Sequence, residues 1–352
     1  MTDQLNIHAH GQVGHLSLNR PKAIHALTLD MCEGLSAALL EWRGEAAIEA
    51  VILDHAEGRG FCAGGDVALL RNSAMEDGGA KGREFFHAEY RLNHLMFTYP
   101  KPIIAFMDGV TMGGGVGISQ PAKFRVATEN TKFAMPEGSI GLFPDVGAGH
   151  YLPRLPGQVG KFLALTGARL DGAECLWAGL ATHYIANAKL AEVKARIVAE
   201  PGKIQAILDE FSSEAPEPRI AGNKGRIDKL FAPETLEGII ANLEQDASDW
   251  AAKELAAVSS KCPMTSKVAL HQFSENADCR DFAANMAMEY RIAARMIMRP
   301  DFAEGVRAVL VDKDNAPQWQ PAEPEQISEG DVEAIFAPLP EGEEWTPFPA
   351  SA

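Results

Sequence analysis

Short apolar segments alternate with longer helical patterns over the first 190 residues, and this alternation constrains the fold more than any other feature. Residues 50–54 (AVILD) and 102–109 (PIIAFMDG) are apolar runs typical of buried strands. Residues 84–97 place their large apolar side chains mostly on one side of a helix, which Pro100 ends. Further strands are predicted at residues 12–19 and 123–128, and Thr28 is positioned to cap a helix. The alternation predicts an α/β fold with parallel strands.

The pattern changes beyond about residue 190, where strand signals fade. Residues 235–258 and 264–299 are predicted helices, and residues 215–225 are a predicted linker or long loop. Residues 316–352 are rich in Pro and Glu, which predicts a tail that wraps the surface and frays. We therefore divide the chain into residues 1–200 and a C-terminal helical region with an extended tail, residues 201–352.

Charge and composition exclude several classes of protein. The formal net charge of −16 disfavours a general nucleic-acid binder, and the longest apolar runs fall short of a membrane span. The N-terminus has no basic stretch followed by an apolar one, so no signal peptide is expected. The cysteines are odd in number and lack a C-x-x-C pair, which indicates reduced, mostly buried thiols: Cys32, Cys62, Cys175, Cys262 and Cys279. These features predict a cytoplasmic protein.

Two Gly-rich turns have the same form. FCAGGD (residues 61–66) and MGGGVG (residues 112–117) each follow a predicted buried strand. Such turns point free N–H groups outward, and two turns brought together would offer two donors to one oxygen, which is an oxyanion hole. The alternative is that the glycines serve only tight packing. A dinucleotide-binding loop is disfavoured, because the full G-x-G-x-x-G pattern is absent.

The segment FAMPEGSIGLFPDVGAG, residues 133–149, carries two acids in an apolar setting. Its Pro and Gly content predicts a loop, with Glu137 and Asp145 among large apolar residues. A carboxylate near apolar groups has a raised pKa and suits a general base or nucleophile. The alternatives are a solvated loop tip, which the apolar neighbours disfavour, and a structural hydrogen bond. Spacing alone does not bring the two acids together.

The other candidates carry less information. Cys62 is predicted to be a packed thiol rather than a nucleophile, because no His–Cys arrangement accompanies it. The ten His residues show no metal-binding spacing, and G-x-S-x-G, H-E-x-x-H and P-loop motifs are absent. Glu89 lies among apolar residues of a predicted helix, where an acid is usually exposed, so the pattern gives it no role.

Taken in order, these motifs carry a resemblance to a known family. The sequence is similar to the crotonase (enoyl-CoA hydratase/isomerase) superfamily, and the similarity extends over nearly the whole chain. It rests on LNRPKAIHALTLDM, GRGFCAGGD, PKPIIAFMDGVTMGGGVGIS and FAMPEGSIGLFPDVGAG, and downstream on MEYRIAARM and DFAEGVRAVLVDKDNAPQW. The resemblance implies a spiral of ββα units with a C-terminal helical region. It also implies that residues 1–200 form an acyl-CoA-binding core.

The resemblance also implies roles for single residues. The backbone N–H groups of Gly65 and Gly114 would hold the thioester oxygen. Glu137 would act as nucleophile or general base. Asp145 would relay a proton and, like Glu89, accept a hydrogen bond from a substrate hydroxyl. The substrate-binding residues would be Ala63, Glu89, Gly114, Glu137 and Asp145.

Two departures from the family pattern bear on the reaction. Similar hydratases have Glu at the position of Gly117 and a small residue at that of Asp145, so hydration is disfavoured. His25 stands where the family usually has Asn, in a segment that contacts CoA through its backbone, so this change carries little weight.

The expected activity is hydrolysis of a short branched 3-hydroxyacyl-CoA thioester, foremost 3-hydroxyisobutyryl-CoA from valine breakdown. One alternative is a lyase or isomerase that uses Glu137 alone as the base. Another is a non-catalytic acyl-CoA-binding protein, which the presence of both acids and both turns disfavours. No metal or redox cofactor is expected. Beyond the substrate no nucleic-acid or membrane partner is expected, and a homo-oligomer is possible.

Overall fold

The computed structural model describes residues 3–276 and 281–349. Its strands are β1 (Leu5–His10), β2 (Val13–Leu18), β3 (Ala50–His55), β4 (Gly60–Cys62), β5 (Ile103–Met107), β6 (Val110–Met112), β7 (Phe124–Ala127), β8 (Lys132–Ala134) and β9 (His183–Tyr184). Its helices up to residue 211 are α1 (Leu29–Gly44), α2 (Val67–Glu76), α3 (Ala80–Phe97), α4 (Gly114–Ser119), α5 (Ala148–Tyr151), α6 (Val159–Thr166), α7 (Gly172–Ala178), α8 (Leu190–Ala199) and α9 (Ile204–Phe211). The later helices are α10 (Lys224–Leu230), α11 (Leu236–Gln245), α12 (Asp249–Ser259), α13 (Pro263–Asn276), α14 (Phe282–Met296), α15 (Pro300–Val306) and α16 (Glu329–Phe336).

Two sheets organise the first part of the chain. A six-stranded sheet has the order β1-β2-β3-β5-β7-β9, in which only the β1–β2 pair is antiparallel. A second sheet pairs β4, β6 and β8 in parallel. The chain places one strand in each sheet and then forms a helix, as in β5, β6 and α4. This repeat is the ββα unit that the resemblance implied, and the predicted α/β class is confirmed.

Burial and capping explain the local structure of β3, α1 and α3. Residues 50–54 of β3 are all buried, which explains why the run is apolar throughout rather than alternating. Thr28 caps α1, and its side chain accepts a hydrogen bond from the Met31 N–H. In α3 the buried stripe includes Phe85, Glu89 and Asn93, spaced four residues apart, so two polar residues share the core-facing side with aromatic ones.

The C-terminal helical region differs in detail from the prediction. The predicted helix 235–258 divides into α11 and α12 around Asp246, and that predicted over 264–299 becomes α13 and α14, with residues 277–280 outside the described part. The prediction of a fraying tail is wrong for the described residues up to 349. The tail contains α16, and the Trp345 indole is 3% exposed and donates to the carbonyl of His87. Burying that aromatic side chain fixes the tail on α3.

The boundary proposed at residue 200 stays a prediction. Buried side chains from both parts form one hydrophobic core, which includes Phe85 of α3 and Tyr290 of α14. Cys32, Cys62, Cys175 and Cys262 are buried free thiols, as predicted, whereas Cys279 lies outside the described residues. Within residues 3–276 and 281–349, each helix is too short or too polar to cross a bilayer.

Candidate active site

The three segments singled out in the sequence follow the three strands of the smaller sheet. Ala63–Gly65 follow β4, Gly113 and Gly114 follow β6, and Met135–Glu137 follow β8. The strands are parallel, with Cys62 paired with Thr111 and Met112 with Ala134. Their carboxyl ends therefore meet at one edge of the sheet, where ligands of α/β proteins commonly bind.

The two Gly-rich turns are in contact. A Cβ atom added to Gly114 would lie 3.2 Å from the carbonyl carbon of Gly64, so a side chain there would press on the neighbouring turn. Gly64 and Gly113 have φ values of 116° and 49°, which other residues rarely adopt. Among the described residues, the N–H groups of Gly65 and Gly114 donate to no other group. Two unpaired donors thus lie in adjoining turns.

Glu137 lies against the second turn. It begins a 3₁₀ turn, Glu137–Ile140, and is 5% exposed. An added Cβ at Gly113 would lie 2.9 Å from Glu137 Oε1, while Glu137 Oε2 has no hydrogen-bond partner among the described groups. Burial, and then the charge of Asp145, raise the pKa of Glu137 well above its usual value. The carboxyl group is thus weakly solvated, as a nucleophile or base requires.

Glu89 reaches the same place from α3. The sequence suggested an exposed helix position, but the side chain is 2% exposed. A Cβ added at Gly114 would collide with Glu89 Oε1, which has no partner among the described groups. Burial raises the pKa of Glu89 well above its usual value, and the nearby acids Asp145 and Glu137 add to the shift.

Asp145 is held by a residue that the sequence analysis did not select. The Tyr90 hydroxyl donates a 2.7 Å hydrogen bond to Asp145 Oδ2, and both side chains are buried. Burial raises the pKa of Asp145 to about 6, although the bond from Tyr90 favours the ionised form. A buried Tyr hydroxyl requires a polar partner. Because Tyr90 directly follows Glu89 in the sequence, a hydrogen bond from its hydroxyl to one of the acids could have been predicted.

All predicted site residues line one cavity of about 190 Å³. They come from five separate segments: Ala63 and Gly65, Glu89, Gly114, Glu137, and Asp145. The rest of the described lining is mainly apolar, with Val309 and Leu310 of a π-helix (Arg307–Val311) at one side, and it includes no Lys, Arg or His. Three buried acids therefore share a small, mostly apolar cavity without a cation on its wall.

The loop that carries Asp145 closes over Gly117. A Cβ added at Gly117 would lie 2.6 Å from the Cβ of Val146 and 2.9 Å from the Asn93 amide nitrogen. A Glu side chain at position 117 therefore has no room in this arrangement. The two departures from the hydratase pattern, Gly117 and Asp145, are thus sterically linked.

His25 has a structural role in the segment before α1. Its ring is buried, with Nδ1 accepting from the Arg20 N–H at 2.9 Å and Nε2 2.8 Å from the carbonyl of Glu57. These contacts hold the turn between β2 and α1, and the side chain is absent from the cavity lining.

We expect the Glu89→Gln variant to be stabilised at pH 8 more than at pH 5. Because the folded-state pKa of Glu89 is raised above its unfolded value near 4.5, the native protein loses stability relative to the unfolded chain as pH rises from that value. Gln removes this loss, which amounts to about 1.4 kcal/mol for each pKa unit. Urea unfolding at the two pH values measures the effect, with Glu41→Gln at an exposed position of α1 as the control. An equal stability change at both pH values would contradict it.

The chain matches the model of the enoyl-CoA hydratase/isomerase family over residues 13–336. It therefore belongs to this family. Among curated proteins it is 41% identical to 3-hydroxyisobutyryl-CoA hydrolase, mitochondrial, of Gallus gallus, over 94% of this chain and 87% of that protein. Its identity to the Homo sapiens protein of the same name is 40%, with the same coverage.

Solved structures confirm the crotonase-like fold. A structure titled carnitinyl-CoA dehydratase from Mycobacterium thermoresistibile has a TM-score of 0.93 and 37% identity, covering 98% of this chain and 99% of that one. One titled enoyl-CoA hydratase from Rhodobacter sphaeroides 2.4.1 has a TM-score of 0.91 and 35% identity, covering 98% of this chain and 100% of that one. The titles of these structures and the names of the curated relatives thus point to different reactions.

The predicted cytoplasmic location is wrong by the same comparison. The curated relatives from Gallus gallus, Xenopus laevis and Homo sapiens are all named mitochondrial. Composition and cysteine usage do not separate reducing compartments from one another. The sequence features used for that prediction therefore could not distinguish a cytoplasmic from a mitochondrial location.

Proposed function

We propose that this protein hydrolyses the thioester of a short branched 3-hydroxyacyl-CoA, foremost 3-hydroxyisobutyryl-CoA, to the hydroxy acid and CoA. The observation that carries the proposal is the arrangement of Glu137 and Asp145 in one apolar cavity beside two unpaired N–H donors. The names of relatives at 40–41% identity support the same substrate. Such a cavity, about 190 Å³, suits a short acyl group.

In this proposal the N–H groups of Gly65 and Gly114 form the oxyanion hole. As the thioester carbon becomes tetrahedral, its oxygen gains negative charge, and donors that are already fixed in the turns stabilise it. Each donor contributes roughly 3 kcal/mol to that state. The glycines allow the close approach of the turns, because a side chain at Gly64 or Gly114 would enter the space between them.

Glu137 starts the reaction by one of two routes. In the covalent route its carboxylate attacks the thioester carbon, the C–S bond breaks, CoA leaves as the thiolate, and water then hydrolyses the mixed anhydride. In the direct route Glu137 removes a proton from a water that attacks the carbon, and the tetrahedral intermediate then collapses with cleavage of the C–S bond and loss of CoA as the thiolate. We favour the covalent route, because a thioester is a good acyl donor and the described cavity lining has no His to activate water.

Asp145 and Glu89 recognise the 3-hydroxyl in this proposal. A carboxylate held by the Tyr90 hydroxyl has lone pairs left to accept a further hydrogen bond. A buried acid with this task rejects an acyl group that lacks the hydroxyl, because the acid would then stay buried without its partner. Asp145 is also placed to relay a proton during the breakdown of the intermediate.

Hydration of a double bond is the second candidate, and the titles of the two similar structures favour it. Addition of water in hydratases that resemble this chain uses a second Glu at the position of Gly117. Val146 occupies that space here, so the cavity offers Glu137 without such a partner. We therefore place hydrolysis first. The absence of a metal or redox cofactor and the oligomeric state stay predictions.

Thiol release from a panel of CoA esters tests the proposal. The panel contains 3-hydroxyisobutyryl-CoA, isobutyryl-CoA, a long-chain acyl-CoA and an unsaturated acyl-CoA, for which loss of the double bond is followed separately. If the protein is the proposed hydrolase, it releases thiol rapidly from 3-hydroxyisobutyryl-CoA. Loss of the double bond without thiol release would identify a hydratase, and tight binding without either reaction would identify a binding protein.

A further inference from the structure

The loop that follows Asp145 has a backbone conformation that costs energy. Val146 is a β-branched residue with a φ of 51°, and Gly147 has a φ of 93°. A non-glycine residue in this region costs about 1–3 kcal/mol and persists only where surrounding contacts impose it. Val146 is 1% exposed, so the conformation belongs to the packed interior rather than to a mobile surface turn.

The Ala148 N–H closes the turn by donating to the carbonyl of Asp145, and one carboxyl group of the C-terminal helical region bonds the residues that follow Val146. Glu289 of α14 accepts from the Gly147 N–H at 2.7 Å and from the Gly149 N–H at 3.1 Å. Gln272 of α13 and Asn285 of α14 each donate a 3.0 Å hydrogen bond to Glu289 Oε1. Glu289 is 0% exposed. One buried side chain therefore links the acidic loop to two helices more than 120 residues away in the sequence.

The environment of Glu289 holds its carboxyl group in one orientation. Both oxygens accept hydrogen bonds, and four donors converge on the group. Burial raises the pKa of Glu289 to about 8, while the bonds from Gly147 and Gly149 act in the opposite direction. A buried acid with this many partners is costly to maintain, and the reaction proposed above gives it no chemical task.

We propose that Glu289 is a positioning residue, which fixes the backbone of residues 146–149 and thereby holds the Asp145 carboxylate toward the substrate hydroxyl. The inference rests on the hydroxyl recognition in the proposed function. Among the described residues, the one side-chain hydrogen bond to Asp145 comes from Tyr90, so the backbone that follows Asp145 also decides where its carboxylate points. The same backbone places Val146 over Gly117. The C-terminal helical region thus sets the substrate preference of a cavity built largely by the first part of the chain.

The Glu289→Gln variant tests this role with little change in volume. A Gln amide has one oxygen and one NH₂ group, so in either orientation its NH₂ faces Gly147 N–H or Gly149 N–H. One loop contact is lost. The Gly147 or Gly149 N–H is then left buried without its acceptor, so we expect kcat/KM for 3-hydroxyisobutyryl-CoA to fall about 10-fold or more. The kcat/KM for isobutyryl-CoA should fall less than about 3-fold, because this ester lacks the 3-hydroxyl that Asp145 binds.

A merely structural role predicts a different outcome. If Glu289 only stabilised the fold, both substrates would lose activity in proportion to the folded fraction, and their ratio would not change. Glu254→Gln is the matched control, since Glu254 is a buried acid of α12, 5% exposed, that does not line the cavity. Should Glu289→Gln fail to fold, Gln272→Met removes one donor to Glu289 and should shift the ratio to a smaller extent. An unchanged ratio in the folded variant would overturn the proposal.

A crystal structure of Glu289→Gln separates this inference from the proposed function. We expect Val146 to leave the left-handed region and Asp145 to move from Tyr90, whichever reaction the enzyme performs. If the unmodified enzyme releases no thiol from 3-hydroxyisobutyryl-CoA, the proposed function is wrong. The positioning role of Glu289 is then tested by the loop conformation in the variant crystal structure alone. A variant loop that superimposes on the original, with Val146 still at positive φ, would overturn the positioning role.

Discussion

Replacing Glu137 by Gln is expected to lower kcat by about 10²–10⁴-fold, the range for removing an acid–base group. Gln keeps the size of the side chain but removes its charge and basicity. Both routes of the proposed reaction begin at the Glu137 carboxylate, which lies against Gly113 with one oxygen unpaired. KM should change little if CoA is held mainly by other contacts. Steady-state thiol release measures both parameters.

A control and an isotope experiment complete this test. Glu254→Gln removes a buried acid outside the cavity and should keep nearly full activity. In a single turnover of the unmodified enzyme in heavy-oxygen water, the covalent route with hydrolysis of the anhydride at the Glu137 carbonyl puts the label into Glu137 and unlabelled oxygen into the first product. Direct attack by water puts the label into the acid product. Near-normal thiol release by Glu137→Gln would remove this residue from the mechanism and would falsify the main functional proposal.

Replacing Asp145 by Ala is expected to reduce the preference for a 3-hydroxyacyl group by about 10²-fold or more. A site that hydrogen-bonds a substrate hydroxyl discriminates by up to about 10⁴–10⁵-fold against an analogue that lacks it, and Glu89 retains part of this recognition. The loss should therefore fall mainly on 3-hydroxyisobutyryl-CoA and spare isobutyryl-CoA. The ratio of kcat/KM for the two esters is the measurement.

Tyr90→Phe tests the role of Asp145 by a smaller change. It removes the 2.7 Å hydrogen bond to Asp145 but keeps the carboxylate, so the preference should fall less than in Asp145→Ala. Equal losses on both esters in Asp145→Ala would show that Asp145 acts in the chemical step or in folding rather than in recognition.

The parts of the site that follow strands were predictable from sequence. A buried strand followed by a Gly-rich turn indicates a turn at the carboxyl edge of a sheet, and both turns lie there. The composition of residues 133–149 also predicted correctly that the acids lie among apolar groups, and both are buried. These features depend on local sequence, because strand burial and turn geometry are set within a few residues.

The contacts between distant segments were not predictable in this way. The pattern of α3 gave Glu89 no role, since an acid on a predicted helix is usually exposed, and the resemblance alone assigned it to the site. Tyr90 and Glu289 were missed entirely, although Glu289 lies in the segment MEYRIAARM, which was quoted for the resemblance. Their roles arise where α3 and α14 pack on the acidic loop, and residue spacing along one segment carries no information about such packing.

The cation-free wall of the cavity has a consequence for the end of the catalytic cycle. Hydrolysis turns a neutral acyl group into a carboxylate, which then shares the cavity with Glu89, Glu137 and Asp145. Above the Asp145 pKa of about 6 that carboxylate is ionised and repels the new anion. Two like charges 4 Å apart repel by about 4 kcal/mol at an effective dielectric constant of about 20, so release of the product is favoured. We expect the free hydroxy acid to be a poor inhibitor, and inhibition measured at increasing acid concentrations would show it. The arrangement favours rapid clearance of the product from the cavity.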